Sequence, residues 1–256
     1  MTDNLLHTII QERFRGQNEI SKLALTVFLR QHYGEEVKPS TLAWRLHELT
    51  QEGVLIRTGY GRYQLNDRPT FTPALSPTLR KINERITAQL PFTDCCVWDT
   101  RIVADLMVQQ PMSYLQLVEV DRVALSAAYQ LLQARPVLVD CKAPPAYLYE
   151  DWLTLSRNGI QHSAPIILKP LISEAPLYPL DRYVTAPLEK ILVDLMADQA
   201  LFFAYQEELE YTFHTAFDKF IINRDKLRRY ARRRNRVEQV DQLLGQLPTT
   251  KQHHDS

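Results

Sequence analysis

Lys38–Leu65, KPSTLAWRLHELTQEGVLIRTGYGRYQL, decides how the first part of this chain folds. Pro39 suits the first turn of a helix, where its missing N–H costs little. Leu42, Leu46 and Leu49 recur at helical spacing and mark a core-facing side. Gly53 stands where a left-handed C-terminal cap is expected. Val54 and Ile56 alternate with polar neighbours as a half-buried strand does, Thr58-Gly59-Tyr60-Gly61 turns the chain, and Tyr63 and Leu65 bring it back. Helix, glycine cap and tight hairpin in that order predict a winged helix-turn-helix. Its recognition helix spans 39–52 and its wing 54–65. Such a helix can enter a DNA major groove while the hairpin lies near the phosphates.

Working outward, residues 3–14 predict a first helix, with Leu5, Leu6, Ile9 and Ile10 on one side. Residues 19–33 predict a second, ended by Gly34. Residues 1–66 therefore form the winged helix-turn-helix domain. On the other side, NDRPTFTPALSP (66–77) has three prolines and no periodicity, so 67–77 reads as a linker. Beyond it the pattern alternates. Residues 76–90 predict a helix with Ser76 as cap and Pro77 in the first turn. CCVWD (95–99), SYLQLVEV (113–120), PVLVDCK (136–142) and APIILKP (164–170) predict strands. Residues 100–108 and 122–134 predict helices between them, and from Ala186 onward the pattern is helical over 187–196, 199–217 and 223–244. The fold class is thus α+β overall: an N-terminal winged helix-turn-helix, then a mixed α/β sheet domain over 78–245 with a C-terminal helical region, then a disordered tail at 246–256.

Composition narrows the chemistry. The 256 residues are 45% hydrophobic, enough for two domains of unequal size. No apolar run approaches the roughly 20 residues a membrane helix needs. The start, MTDNLLHTIIQERF, lacks a basic region followed by an apolar one, so no signal peptide is expected. Cys95, Cys96 and Cys141 have no metal-ligand spacing, which fits a reducing, cytoplasmic setting. Only seven glycines occur, and none are clustered as a P-loop, a G-x-G-x-x-G turn or a G-x-S-x-G elbow requires. No cofactor is expected. His32, His47, His162 and His214 show no ligand spacing, and no metal is expected either.

Formal net charge is zero, but it is segregated. Residues 218–236 hold nine Lys/Arg against two Asp, residues 67–217 hold twelve against eighteen acids, and residues 1–66 hold eight against seven. Such a distribution suggests a local electrostatic contact rather than a chain that coats DNA.

Candidate contact residues follow. Ser40, Thr41, Trp44 and Arg45 lie off the leucine face of the recognition helix. Hydroxyls near its start suit phosphate and Arg45 suits a guanine edge, whereas Trp44 is large enough to pack elsewhere. In the wing, Arg57, Tyr60 and Arg62 flank glycines that adopt positive φ at little cost. The alternative for this domain is a protein-interaction module that touches no DNA. The run Lys226–Arg236, KLRRYARRRNR, puts Leu227, Tyr230 and Ala231 on one helical side. Lys226, Arg228, Arg229, Arg232, Arg233, Arg234 and Arg236 spread over the rest. Three partners stay open for that basic patch: nucleic acid, an acidic toxin surface, or the chain's own acidic middle. Glu119 and Asp121, two apart on a strand, have the spacing of a metal-binding pair in a nuclease or nucleotidyltransferase. The Gly-Ser turn and the lysine those enzymes use are missing, so carboxylates at a strand end are the plainer reading. In PLEKILVD, Ile191, Leu192 and Leu195 are core, and Glu189 suits an internal salt bridge.

Two stretches carry a resemblance. TLAWRLHELTQEGVLIRTGYGRYQL (41–65) resembles the N-terminal winged helix of bacterial proteins related to AbiEi-type antitoxins, from type IV toxin–antitoxin and abortive-infection (phage-defence) systems. PLEKILVDLMADQALFFAYQEELEYTFHTAFDKFIINRDKLRRYARRRNR (187–236) is similar to the C-terminal signature of a related uncharacterised bacterial family: Leu188–Asp194 match its Leu-Glu-Lys-Ile-Leu-Val-Asp run, and the stretch that begins at Asn223 matches its Asn-x-x-Lys-Leu-x-Arg-Tyr-Ala-x-Arg-Arg run. The resemblance implies a DNA-binding N-terminal domain, an α/β C-terminal domain, autoregulation at the chain's own promoter on double-stranded DNA, and neutralisation of a nucleotidyltransferase-like toxin.

Overall fold

A computed structural model describes residues 2–17, 19–111, 113–134, 145–160 and 162–247. The chain has mixed α and β structure with several small sheets and divides into two compact units: Met1–Phe71 with Phe217–Leu227, and Thr72–Ala216 with Arg228–Ser256. The strand expected at 136–142 and the tail beyond 247 lie outside the described residues.

The first unit runs α1 (Thr2–Phe14), β1 (Ile20–Ser21), α2 (Lys22–Tyr33), α3 (Pro39–Gln51), β2 (Leu55–Gly59) and β3 (Arg62–Leu65). The strands are antiparallel in the order β1-β3-β2. Ser21 caps α2, its hydroxyl accepting from the Ala24 N–H at 3.1 Å. Pro39 opens α3, as its fixed φ allows. The helix ends in a Schellman motif. Gly53 has φ +78°, its N–H donates to Thr50 O, and the Val54 N–H reaches back to Leu49 O at 3.0 Å. That motif corrects one detail of the sequence reading. Val54 is buried as the hydrophobic partner of the cap, the strand begins at Leu55, and Leu55 rather than Ile56 faces inward. Tyr63 and Leu65 face inward as expected, and the core they join is almost entirely aliphatic, with Leu25, Leu29, Leu42, Leu46 and Leu49 at its centre.

The boundary expected at 66 differs from the compact unit, because Pro69–Phe71 are built into it. Pro69 O accepts from the Ile221 N–H, Thr70 bridges Ile221, and the Phe71 and Phe220 rings meet edge-on at 5.3 Å. Residues 217–227 thus complete a unit otherwise built from the start of the chain. Leu75, also placed in the linker, is buried in the second unit's core.

The second unit begins with α4 (Pro77–Gln89), capped by Ser76 as expected. Then follow β4 (Cys95–Asp99), a 3₁₀ segment (Thr100–Leu106), β5 (Gln116–Val120) and α5 (Leu125–Ala134), which a 3₁₀ turn precedes. After these come β6 (Ala146–Leu148), α6 (Tyr149–Arg157) and β7 (Ile166–Pro170). The sheet order is β4-β5-β7-β6, with β4 antiparallel to β5 and the remaining pairs parallel. A separate hairpin, β8 (Tyr178–Leu180) and β9 (Tyr183–Thr185), leads into α7 (Leu188–Ala197), α8 (Leu209–Lys219), α9 (Arg224–Arg233) and α10 (Val237–Gln246). The long helices expected at 199–217 and 223–244 are each shorter or broken. Asp198 O takes the Leu201 and Phe202 N–H groups into a turn, and Asn235, at φ +54°, ends α9 in the left-handed conformation that asparagine tolerates.

Alternation sorts the sheet into two faces. Cys95, Val97, Val118, Val120, Ile166 and Leu168 pack with Leu79, Ile82, Ala128 and Leu132. The intervening residues, among them Trp98, Glu119 and Lys169, point the other way, and Lys190 of α7 bonds to Glu119 there. Among the described residues, no helix is long and apolar enough to cross a membrane.

Candidate nucleic-acid interface

On α3, Leu42, Leu46 and Leu49 face the core, so Ser40, Trp44, His47 and Gln51 share the opposite side at helical spacing. Ser40, Thr41 and His47 are exposed, and Trp44 is 53% exposed, so it is not a core residue. Arg45 lies to one flank and is held there. Nη1 donates to Glu48 Oε2 at 2.7 Å, and the guanidinium lies 4.8 Å from the Trp44 ring centroid and 5.3 Å from that of Tyr33. Cation–π contacts of this kind fix a guanidinium's direction as well as adding modest energy.

The hairpin projects Arg57, Tyr60 and Arg62 outward, with Tyr60 96% exposed. Opposite Tyr63 and Arg62, β2 carries one extra residue between Arg57 and Gly59, and such a bulge bends and twists a hairpin. Arg57 Nε donates to Gly59 O at 3.2 Å across that bulge, and Arg62 pairs loosely with Glu19 at 3.4 Å. Between α3 and the hairpin lies an open notch of about 320 Å³, lined by Lys22, His47, Thr50, Gln51, Arg57 and Tyr63 among others. Lys22 and His47 escaped the sequence reading. His47 was legible from its spacing to Ser40 and Trp44, whereas Lys22 enters because its N–H donates to Gly61 O at 2.8 Å, joining the start of α2 to the hairpin turn. The notch lining has no carboxylate, although Gln51, with its side-chain amide turned over, donates to Asp225 at 2.9 Å.

The basic patch divides. Leu227, Tyr230 and Ala231 are buried on one side of α9, as expected. Arg228 pairs with Asp241 at 2.6 Å, Arg233 forks onto Glu174, and Arg234 bonds Asp198. Arg236 donates to the carbonyls of Met196 and Asn235. Lys226, Arg229 and Arg232 are exposed. The hydrogen bonds from Arg233 hold the Glu174 carboxyl below its usual range.

Arg234 belongs to a buried network. Lys190 Nζ donates to Glu119 Oε1 and to Asp194 Oδ2, each at 2.6 Å, with all three side chains fully buried. Trp98 Nε1 donates to the same Glu119 oxygen, the Tyr230 hydroxyl donates to Asp194 at 2.7 Å, and Lys169 pairs with Asp198. Burial alone would lower the Lys190 pKa, but Asp194 and Glu119 hold it well above the ordinary lysine value. Burial would likewise raise Asp194, but Lys190, Lys169 and Arg234 outweigh it and hold its carboxyl below the usual range. Burial, then Asp194, pushes the Tyr230 phenol up, so it stays a neutral donor. Lys190, next to Glu189 in the chain, thus carries a buried bridge to both Glu119 and Asp194.

This network also bears on the metal-binding alternative. Glu119 is enclosed by Lys190 and Trp98, while Asp121 lies past the strand end and accepts from the Asp94 N–H. The two carboxylates have different partners and do not converge. Among the described residues no cluster of His, Cys, Asp or Glu is placed to hold a metal ion. Burial pushes the Cys95 thiol up to about 12 and Cys96 well above its ordinary value, which leaves neither a ready thiolate.

Residues 41–250 match the sequence profile described as "Family of unknown function (DUF6577)", and the chain belongs to that family. The matched stretch covers most of α3, the hairpin, and the network residues Glu119, Lys190, Asp194, Tyr230 and Arg234. No curated protein matches the chain.

Proposed function

We propose that this chain is a DNA-binding regulator whose first unit acts as a winged helix, docking α3 into the major groove with the β2–β3 hairpin against the phosphates. The observation that carries the reading is the combination of strand order β1-β3-β2 with an α3 whose outward side, and the hairpin beyond it, expose polar, aromatic and cationic groups. Ser40, Thr41, Trp44 and His47 are the side chains free to meet base edges or sugar. Arg57, Tyr60 and Arg62 supply backbone contacts, and Lys22 joins them through the notch. Arg45 serves chiefly to orient Trp44, since its guanidinium already stacks on that ring and bonds Glu48.

The biological role we propose is that of an antitoxin-like regulator in an AbiEi-type, type IV toxin–antitoxin or phage-defence system. In it the chain would bind double-stranded DNA at its own promoter in the cytoplasm and counter a nucleotidyltransferase-like toxin. That part rests on the resemblance of 41–65 and 187–236. The DNA limb is tested by a salt titration of the full chain on its own promoter fragment. Arg57→Ala and Arg62→Ala should each reduce the slope of log K against log salt by about 1. Absence of any shift by the parent at low salt would end the DNA reading. The toxin limb is tested by co-expression with the neighbouring gene product: continued growth arrest in the presence of this chain overturns it.

A further inference from the structure

We infer that the outer side of α9 is a second, sequence-independent contact for duplex nucleic acid, carried by Arg229 and Arg232. The inference deepens the DNA reading above and starts from how the cations are distributed. Of the seven cations in Lys226–Arg236, three are engaged by carboxylates: Arg228 by Asp241, Arg233 by Glu174, and Arg234 by Asp194 and Asp198. Arg236 lies against main-chain oxygens. The chain's own acids therefore neutralise the two edges and the buried end of this segment, but not its outermost line. Arg229 and Arg232, three residues apart and both exposed, form no ion pair among the described residues. Arg229 also acts electrostatically on Glu174, which Arg233 already forks.

Side-chain type identifies the partner. Guanidinium groups present a planar fork that matches phosphate oxygens, and neighbours at i, i+3 stand about 5–6 Å apart at Cβ. A single-stranded ligand would call for aromatic rings on the same face, on which bases stack. The only aromatic residue of α9 is Tyr230, which is 1% exposed and bonded to Asp194. A cationic line without a stacking platform fits the backbone of a duplex, contributes affinity without reading sequence, and is screened by salt. The pairs at its flanks keep the strip small, so it supplements the reading helix rather than replacing it.

The test measures binding of the full chain to its promoter fragment and to a scrambled duplex of equal length across a salt series. Arg229→Ala/Arg232→Ala should lower the slope of log K against log salt by about 2 on both duplexes. Arg229→Lys/Arg232→Lys should restore it, and the unfolding midpoint should stay that of the parent. An unchanged slope, with the parent still binding and responding to Arg57→Ala, overturns the strip and leaves the winged-helix reading standing. A reduced slope on both duplexes, with no response to Arg57→Ala or Arg62→Ala, does the reverse. Tighter binding to the single strand than to the duplex overturns the strip. So does tighter binding of polyglutamate than of duplex at equal charge, lost in Arg229→Ala/Arg232→Ala, which would reassign the face to an acidic protein.

Discussion

Two ion pairs of nearly the same length divide this molecule. Arg45 and Glu48 meet at 2.7 Å on the surface of α3, with side chains 28% and 29% exposed; Lys190 and Glu119 meet at 2.6 Å with no exposure at all. Distance does not separate them, but surroundings do. Water screens the first and leaves it worth about 0–1 kcal/mol. The second has lost its water, and its partners are obligatory: removing one leaves a buried charge uncompensated. In the first unit the core is apolar and the polar groups point outward, where another molecule can reach them. In the second unit the most strongly charged cluster faces inward and is consumed by the fold. Ionisable side chains on the surface of α3 are therefore left accessible in the first unit, whereas the Lys190 cluster of the second unit is a structural joint.

Breaking the joint should give the largest effect. Lys190→Met leaves Glu119 and Asp194 buried without their shared cation and should cost about 3–5 kcal/mol in urea unfolding. Lys190→Met/Glu119→Gln keeps an acceptor for Trp98 and removes one of the orphaned charges, so it should recover part of the loss. A cost below about 1 kcal/mol for the single variant would place this pair with the surface pairs and erase the contrast.

The pH dependence of stability tests the same joint without removing its cation. The Asp194 carboxyl is held below its usual range in the folded chain. Its contribution is therefore present above the unfolded aspartate value of about 3.9 and is lost as pH falls through the lower folded value. Lys190 behaves in the opposite sense. Its folded value is raised, so its contribution is complete below the unfolded lysine value of about 10.4 and disappears only as pH climbs through the higher folded one. Asp194→Asn should flatten the acid limb by up to one proton, about 1.4 kcal/mol per pH unit. An acid limb identical to the parent's would show that Asp194 does not set it.

In the first unit the sensitive position is backbone rather than charge. Gly53 sits at φ +78°, and a Cβ there would lie 3.4 Å from Ile222 O. Gly53→Ala should cost about 1–2 kcal/mol from the left-handed backbone, the added Cβ itself reaching only ordinary van der Waals contact. Thermal unfolding of the variant checks this, and an unchanged midpoint would mean that the cap does not depend on glycine at this position.

Local signals were legible in the sequence. The leucines of α3, the cap at Gly53, and Ser76-Pro77 before α4 each depend on residues within one or two turns, and the structure has them where spacing put them. What escaped depends on distance along the chain. Lys190 finds Glu119 71 residues away, Tyr230 finds Asp194 36 away, and Ile221 closes on Pro69; no window of periodicity spans such gaps. The strand Ala146–Leu148 has three residues, and β8 and β9 are equally short, too few for alternation to register. For the candidate site, Trp44, Arg57, Tyr60 and Arg62 were readable as exposed residues off an apolar face. That Arg45 is tied to Glu48 and two rings was not, because Tyr33 reaches it from another helix.

The smallest expected effect is the most discriminating for that surface. Glu48→Gln removes a carboxylate from the outward half of α3 and leaves the Tyr33 and Trp44 rings around Arg45. Because the pair is solvent-screened, stability should change by no more than about 0.5 kcal/mol, an order of magnitude less than at Lys190. DNA binding should respond in the other direction, tightening a few-fold at low salt, because the variant removes a like charge facing the phosphates while the rings keep the guanidinium aimed. If Glu48→Gln instead weakens binding, the carboxylate, rather than the aromatic pair, holds Arg45 in place, and this surface shares with the buried network the dependence of a cation on its acid.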